Sequence, residues 1–507
     1  MAKPFYISTA IPYVNAAPHI GHSLEYIQTD AIARYQRLLG KDVMFMTGTD
    51  ENSLKNVQAA EKAGKEVGLF VSEHAQNFIC FKELLDISYD TFIRTTEERH
   101  FKGAQKLWSM CKPEDIYKAT YKGLYCVGCE AFYTEDDLVE GKCPEHNSKP
   151  EEIEEENYFF KLSNYQQDLI DLINSDKVKI TPDFRKAEVL KFLETGLLDF
   201  SISRSHQRAH GWGVPVPGDE EQIMYVWFDA LSNYITGLDF ASNGSDFQKY
   251  WVQANDREVL HVLGKGITRF HAIYWLGMLL SAGVPLPSAE FIHGYITVNG
   301  QKMSKSLGNV LSPQDVVDKF GCDPVRFYLL GAVSSYHDGD FSEDRFVELY
   351  NAHLANGIGN LFSRTVAMLV KYLDGVVPEP TEDIFNLEEF WKKYQNSMEV
   401  YDFPEAVKAI TELVSTCDSF ISTEQPWTKA KAGEPVDGVL YPVLEALRQI
   451  AIALLPITPK SAYNLLSQLG QNTDKIGVLA EECTWGKLAA GLKLTKGESL
   501  FPRYVAE

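Results

Sequence analysis

Two short segments of the 507-residue chain carry side chains suited to gripping phosphate. The first, Pro12-Tyr13-Val14-Asn15-Ala16-Ala17-Pro18-His19-Ile20-Gly21-His22, is a Pro- and Asn-bearing loop that leads into a helix. A helix N-terminus presents unpaired N–H groups and a partial positive charge, so an anion is stabilised there. His19 and His22 can project to the same side of the first turn, and Gly21 lets a ligand come close to the backbone. Two imidazoles at a helix start make a phosphate cradle without a Gly-rich loop. The second segment is Lys302-Met303-Ser304-Lys305-Ser306-Leu307-Gly308-Asn309. It follows the β-prone Tyr295-Ile296-Thr297-Val298 and the turn pair Asn299-Gly300, and reads as a cationic loop. Each segment alone has a plainer reading, a capped helix turn or an exposed hairpin tip.

A third group is suited to a metal. Cys126-Val127-Gly128-Cys129 is followed after thirteen residues by Cys143-Pro144-Glu145-His146. Three cysteines and a histidine have the number and softness of ligands that a tetrahedral structural Zn²⁺ takes. They lie in an acidic stretch with a thin apolar complement, where a metal clip stabilises the fold. The expectation is one structural zinc per chain, held by Cys126, Cys129, Cys143 and His146. The other five of the eight cysteines read as thiols, since disulfides are rare in a large chain without a secretion signal.

The elements that must position these groups can be read from the pattern. Phe5-Tyr6-Ile7-Ser8 is a short strand, and a helix from about Gly21 to Leu39 follows the loop, with Gly40 as its stop. Val43-Met44-Phe45-Met46 is apolar throughout, as a buried parallel strand is, and a helix from about Leu54 to Ala63 comes next. This order opens a doubly wound α/β sheet. From about Pro113 an insert begins, and its run Glu151-Glu152-Ile153-Glu154-Glu155-Glu156 reads as solvated surface. Strand-like segments return at Val226–Ala230 and Glu258–Gly264. Beyond Arg345 the pattern is helical, over Val347–Ala367, Phe390–Tyr401, Glu405–Ser422 and Val439–Leu455, which suggests a bundle.

His-Ile-Gly-His and Lys-Met-Ser-Lys-Ser together resemble the signature pair of class I aminoacyl-tRNA synthetases, in the right order. The resemblance implies in-line attack of an amino-acid carboxylate on the α-phosphate of ATP, with position and charge supplied by the protein. His19, Gly21 and His22 would hold the nucleotide, Lys302 and Lys305 would close over the leaving group with Lys305 bound to ATP, and Mg²⁺ would accompany the pyrophosphate. The segments Thr9–Tyr13, Thr47–Glu51, Val226–Tyr234 and Gly264–His271 are similar to the methionine-pocket segments of the methionyl-tRNA synthetase family. That likeness makes Ile11, Tyr13, Trp227, Ala230, Leu231, Tyr234, Phe270 and His271 the pocket wall, with Asp50 on the substrate ammonium. The aromatic members suit a thioether. The metal segment resembles the single-knuckle insert of some members. Asn360-Leu361-Phe362-Ser363-Arg364 and Glu424-Gln425-Pro426-Trp427 look like anticodon-reading segments, in which Asn360, Arg364 and Trp427 meet unpaired bases.

The implied organisation is a Rossmann-like catalytic domain in two halves, 1–113 and 204–298, split by a zinc-bearing insertion at 114–203. A loop and stem-contact region at 299–350 and an α-helical anticodon-binding domain at 351–507 complete it. Two departures from the family pattern stand out. Thr-Asp-Glu is commonly continued by His-Gly and here by Asn52-Ser53, and the link Ser203–Gly213 is longer than usual.

The composition, 45% apolar and 23% charged, is that of a globular protein. No run reaches the ~18–20 apolar residues that span a bilayer, so the expectation is a cytoplasmic protein with no membrane partner. A formal net charge of −22 disfavours an unselective RNA binder but leaves room for a local basic track and a selective tRNA. The partners expected are ATP, L-methionine and tRNA(Met), and the chain is expected to act as a monomer without an appended C-terminal domain. The readings that compete are another class I synthetase such as that for cysteine, a nucleotidyltransferase of the same superfold, and a non-charging tRNA-binding relative.

Overall fold

The computed structural model describes residues 2–126, 131–133, 135–144, 147–252, 258–303 and 308–504. The strand Pro4–Thr9 lies at the middle of a six-stranded sheet, every pair of which is parallel. On one side of it come Asp42–Thr49 and Thr91–Arg94, and on the other Glu258–Gly264, Ala289–His293 and Lys179–Thr181. The strand order reverses between Pro4–Thr9 and Glu258–Gly264. In sheets of this kind the crevice at the carboxyl ends of the strands, at that switch, is where ligands bind. The loop bearing Pro12 to Pro18 starts there.

The first helix runs Ile20–Leu38, within a residue of the expected span. Ile20, Leu24, Ile27, Ala31 and Tyr35 are buried on it, and Gly40 leaves it at a φ of 81°. That left-handed geometry favours glycine and ends the helix where the sequence pattern stops. Leu54–Ala63 is helical as expected, closed by Gly64 at a φ of 65°.

Three expectations need correction. Val226–Leu231 is a helix and not a strand. All six of its residues are buried, so the run shows no polar face, and a short apolar run does not reveal its period. The Glu151–Glu156 run keeps its glutamates at the surface as expected, but it supplies the first six residues of the ten-residue strand Glu151–Phe160, which pairs antiparallel with Ile116–Cys126. Ile153 turns inward while its glutamate neighbours stay at the surface, where Lys122 reaches Glu154 at 3.6 Å. This strand pair, with Ala131–Tyr133 and Phe200–Ser201, makes a separate four-stranded sheet.

The third correction concerns Val347–Ala367, which is not one α-helix. The chain runs as an α-helix over Glu343–Leu349, as a π-helix over Tyr350–Gly359, and as an α-helix again over Asn360–Leu373. Wider π turns shift the face that later residues present, a distortion that apolar spacing does not reveal. Helices Leu387–Glu399, Phe403–Glu424 and Asp437–Leu454 form close to the expected spans, and pack with the foregoing one as a bundle.

The bundle is tied to the sheet through a buried arginine. Arg326, of helix Cys322–Gly331, donates to the carbonyls of Ile457 at 2.9 Å, Pro456 at 3.0 Å and Leu85 at 3.0 Å. Its guanidinium also pairs with Asp30 of the first helix at 2.7 Å.

Candidate active site

The two histidines do cap the helix, and the way they do so prepares them for an anion. The main-chain N–H of Gly21 donates to Nδ1 of His19, and the N–H of His19 donates to Nδ1 of His22, both at 3.1 Å. The rings lie against each other at 3.9 Å between centroids, and His22 meets Phe78 edge-on at 5.3 Å. Burial pushes both imidazoles below the ordinary histidine range, His22 further with His19 beside it. Each ring is therefore neutral at physiological pH. With Nδ1 accepting, the ring proton sits on Nε2, so each histidine keeps one N–H to donate to a phosphate oxygen. A side chain at Gly21 would strike the His19 ring at 2.9 Å, so the cradle also requires that residue to be glycine.

The chain on either side of the second segment meets this helix start. Strand Ile296–Val298 turns through Asn299 and Gly300, both at positive φ (51° and 74°), into Gln301–Lys302. This is the backbone that a tight hairpin needs, and an Asn-Gly pair supplies it. Ile296 faces Gly21, with a methyl group 3.4 Å from where a Cβ would be. The N–H of Ile20 donates to the carbonyl of Leu311 at 3.0 Å, so the chain returning from the loop holds one of the helix's free donors. Asn309 closes the loop's base by donating to the carbonyl of Lys302 at 3.2 Å. Lys302 is exposed at the hairpin end, while Lys305 lies outside the described residues.

The residues expected to line an amino-acid pocket also converge. Trp227 and Phe270 stack face to face, 3.5 Å between centroids and 5° from parallel. Ile11, Tyr13, Trp227, Ala230, Leu231, Tyr234 and Phe270 belong to one apolar cluster. His271 donates from Nδ1 to the carbonyl of Ile267 at 2.9 Å, which leaves Nε2 to accept from the Tyr234 hydroxyl at 2.6 Å. Burial lowers His271 to about 4, so this wall is uncharged at neutral pH. Asp50 is buried and runs beside Tyr13 in a parallel bridge, its N–H donating to the carbonyl of Pro12 at 2.9 Å. The one carboxylate expected to meet a substrate ammonium thus lies next to the aromatic wall.

A family model for class I tRNA synthetases (M) matches residues 5–152 and 146–366. The methionine–tRNA ligase of Thermotoga maritima is 41% identical over 99% of this chain and 81% of its own length. That of Brucella suis is 40% identical over 99% of this chain and 98% of its own. This chain belongs to the methionyl-tRNA synthetase family. Among solved structures, Mycobacterium tuberculosis methionyl-tRNA synthetase in complex with methionyl-adenylate superposes with a TM-score of 0.92. It shares 38% identity and covers 99% of this chain and 100% of that one. The apo form of the same enzyme superposes at 0.87, with 35% identity.

Of the four residues expected to hold zinc, Cys126 and Cys143 are described and both are buried, while Cys129 and His146 lie outside the described residues. Both cysteines meet Ser148, Cys126 through its thiol and Cys143 through its main chain. Ser148 places its hydroxyl 3.7 Å from Cys126 Sγ, and its carbonyl accepts from the N–H of Cys143 at 2.9 Å. Two buried soft donors in one insert suit a thiophilic ion. No cluster of three or more possible ligands occurs among the described residues.

In the bundle, Asn360 is exposed and Arg364 is half-buried one turn later. The Arg364 guanidinium lies 5.5 Å from the Trp427 ring centre and 3.5 Å from Asp418. Trp427 is 40% exposed. The structure therefore brings Arg364 and Trp427 together on a surface.

The sequence reading missed a polar network behind the pocket. Asp229 accepts from Asn52 at 2.8 Å and pairs with His100 at 2.5 Å, and His100 meets the hydroxyl of Thr236 at 2.8 Å. His100 sits in the amphipathic helix Glu98–Met110, where nothing in the spacing marks it. The available signal was Asn52 itself, a departure from the family pattern.

Proposed function

We propose that this chain is a methionine–tRNA ligase, activating L-methionine with ATP to methionyl-adenylate and then charging tRNA(Met). The observation that carries the reading is the docking of the Ile296–Lys302 hairpin on the His19–His22 helix start, beside the aromatic wall of Trp227 and Phe270. Both groups lie at the carboxyl ends of the central strands, where the topology expects a ligand.

In the first step the methionine carboxylate attacks the α-phosphorus of ATP, the bond to the β-phosphate oxygen breaks, and pyrophosphate leaves with Mg²⁺. No protein nucleophile is needed. The Nε2–H groups of His19 and His22 donate to phosphate oxygens, with close approach to the backbone permitted at Gly21. Lys302 and Lys305 bring positive charge to the α-phosphate and the leaving group as charge builds up there. Asp50 pairs with the substrate ammonium. The neutral wall of Ile11, Tyr13, Trp227, Ala230, Leu231, Tyr234, Phe270 and His271 takes the thioether, which gains from contact with aromatic edges. In the second step the terminal ribose hydroxyl of tRNA displaces AMP from the adenylate.

The expected insertion at 114–203 is not wholly separate, because its strand Lys179–Thr181 joins the edge of the catalytic sheet; within it Cys126, Cys129, Cys143 and His146 would hold a structural and not a catalytic Zn²⁺. The helical region from 351 onward reads the anticodon with Asn360, Arg364 and Trp427. The chain acts as a monomer in the cytoplasm; among the described residues no helix is long and apolar enough to cross a membrane.

The experiment is ATP–pyrophosphate exchange with each of the twenty amino acids and no tRNA. Exchange with methionine alone is expected. Exchange with another amino acid would overturn the pocket, and none at all from folded protein would move the non-charging relative to first place.

A further inference from the structure

The turn after strand Asp42–Thr49 delivers Asp50, and two residues later Asn52 turns its amide into the protein, only 8% exposed. Nδ2 of Asn52 donates to Oδ2 of Asp229 at 2.8 Å and to the carbonyl of Thr95 at 2.9 Å. Both partners are pure acceptors when Asp229 is ionised, so chemistry alone fixes which end of the amide faces them. Asp229 belongs to helix Val226–Leu231, which also carries Trp227, Ala230 and Leu231. Its other oxygen, Oδ1, is held by Nε2 of His100 at 2.5 Å, and His100 is held in turn by Thr236. Asp229 is 1% exposed, while His100 and Thr236 are fully buried.

One amide thus links the two halves of the pocket. On its own strand end stands the carboxylate expected to meet the ammonium. Across the Asp229 bond stands the wall expected to hold the side chain. The residue between Asp50 and Asn52 is pinned separately. The Glu51 carbonyl accepts from Trp212 Nε1 at 2.8 Å, and its carboxylate takes two bonds from Arg94, at 2.7 and 3.0 Å. Asp50 is held on its own side by Pro12 and by Asn56, whose amide donates to its carbonyl at 2.9 Å, and the Asn52–Asp229 bond joins this turn to the Trp227 helix. A misplacement of about 1 Å at this kind of support is enough to cost a large part of binding and rate.

We infer that Asn52 is a positioning residue for the amino-acid substrate, acting through Asp229 to set the gap between Asp50 and the wall of Trp227, Ala230 and Leu231. The inference rests on the methionine pocket proposed above. It assigns a use to a residue at which the chain departs from its family, and it separates Asn52 from the nucleotide side of the site.

The test is ATP–pyrophosphate exchange on the full chain, with methionine and ATP varied separately. Asn52→Ala and Asp229→Ala are each expected to raise the KM for methionine about tenfold, with the KM for ATP unchanged within about twofold. Removing both should cost clearly less than the sum of the two, because the Asn52–Asp229 contact is lost in each case, while Asn52→Ala also loses the bond to Thr95 and Asp229→Ala the bond to His100. Asp229→Asn keeps an oxygen for Asn52 to donate to, and a nitrogen that can donate to the unprotonated Nε2 tautomer of His100, and should restore most of the methionine affinity. If Asn52→Ala proves too unstable to assay, Asn52→Ser, which is too short to reach Asp229, gives the same reading. Equal rises in both KM values, a fall in kcat alone, or additive losses in the double variant would overturn the inference. Wild-type protein that shows no methionine-dependent exchange would instead overturn the pocket on which it rests.

Discussion

Asp30 and Arg326 meet at 2.7 Å with neither side chain exposed to water. Asp30 stands on the helix that begins with the two histidines, and Arg326 holds the carbonyls that enter the last helices of the bundle. Burial alone would raise the Asp30 carboxyl, but Arg326, Arg34 and the Ser88 donors together hold it below the usual range. Removing one partner leaves a charge that nothing else fully compensates.

Arg326→Ala is therefore expected to cost about 3–5 kcal/mol in urea unfolding. The pairing contributes above the ordinary carboxylate range and is lost as pH falls through the depressed value of Asp30. The variant's deficit should accordingly shrink in acid. A loss under about 1 kcal/mol at neutral pH would show that the remaining Arg34 contact is enough.

Glu290 makes the opposite prediction. It lies in register with Ser8 and His261 across three adjacent strands, fully buried, and neither carboxyl oxygen has a hydrogen-bond partner among the described residues. Burial raises it to about 8. Between the usual carboxylate range and that value, the folded chain keeps a proton that the unfolded chain has released. Stability falls as pH rises through this window and levels off above it. Glu290→Leu removes the cost, so its gain over wild type should grow between pH 5.5 and 8.5 by an amount on the order of a few kcal/mol. Parallel stability curves for the two proteins would mean that the carboxyl finds a compensating partner in solution.

The first helix and Leu54–Ala63 were legible because caps and left-handed glycines sit at their ends, and those are local signals. Val226–Leu231 was not, since a helix buried on all sides and a buried strand share one composition. Nor were the π turns of Tyr350–Gly359, which depend on packing and not on spacing. In the site, His19, His22 and Lys302 announced themselves by type and position. His100, Asp229 and Glu290 did not, because their meaning comes from partners more than a hundred residues away or from the lack of one.

Zinc would add stability to the insert sheet without touching the chemistry of the pocket. Protein purified without chelator is expected to carry about one zinc per chain. Cys126→Ser and Cys143→Ser should each lose the ion and lower the melting temperature. Atomic absorption after chelator washing decides the matter: a fold that persists unchanged with no metal bound would remove the ion from the description. The burial of both described cysteines, each in contact with Ser148, is the reason to expect otherwise.

Trp427 separates the two halves of the proposed activity. Its ring is 40% exposed, backed by Arg364 at 5.5 Å, and Arg364 is itself steadied by Asp418. An exposed indole with a cation on it is a stacking surface for an unpaired base, at about 1–3 kcal/mol per base. Trp427→Ala should then cost roughly tenfold to a hundredfold in kcat/KM for tRNA, since each 1.4 kcal/mol is a factor of ten. Methionine-dependent exchange without tRNA should stay within about twofold, because the apolar pocket residues belong to a cluster that does not include Trp427. Arg364→Ala should share the first effect and spare the second. If both reactions fall together, Trp427 acts through the packing of the bundle against the sheet, and the anticodon surface must be sought elsewhere.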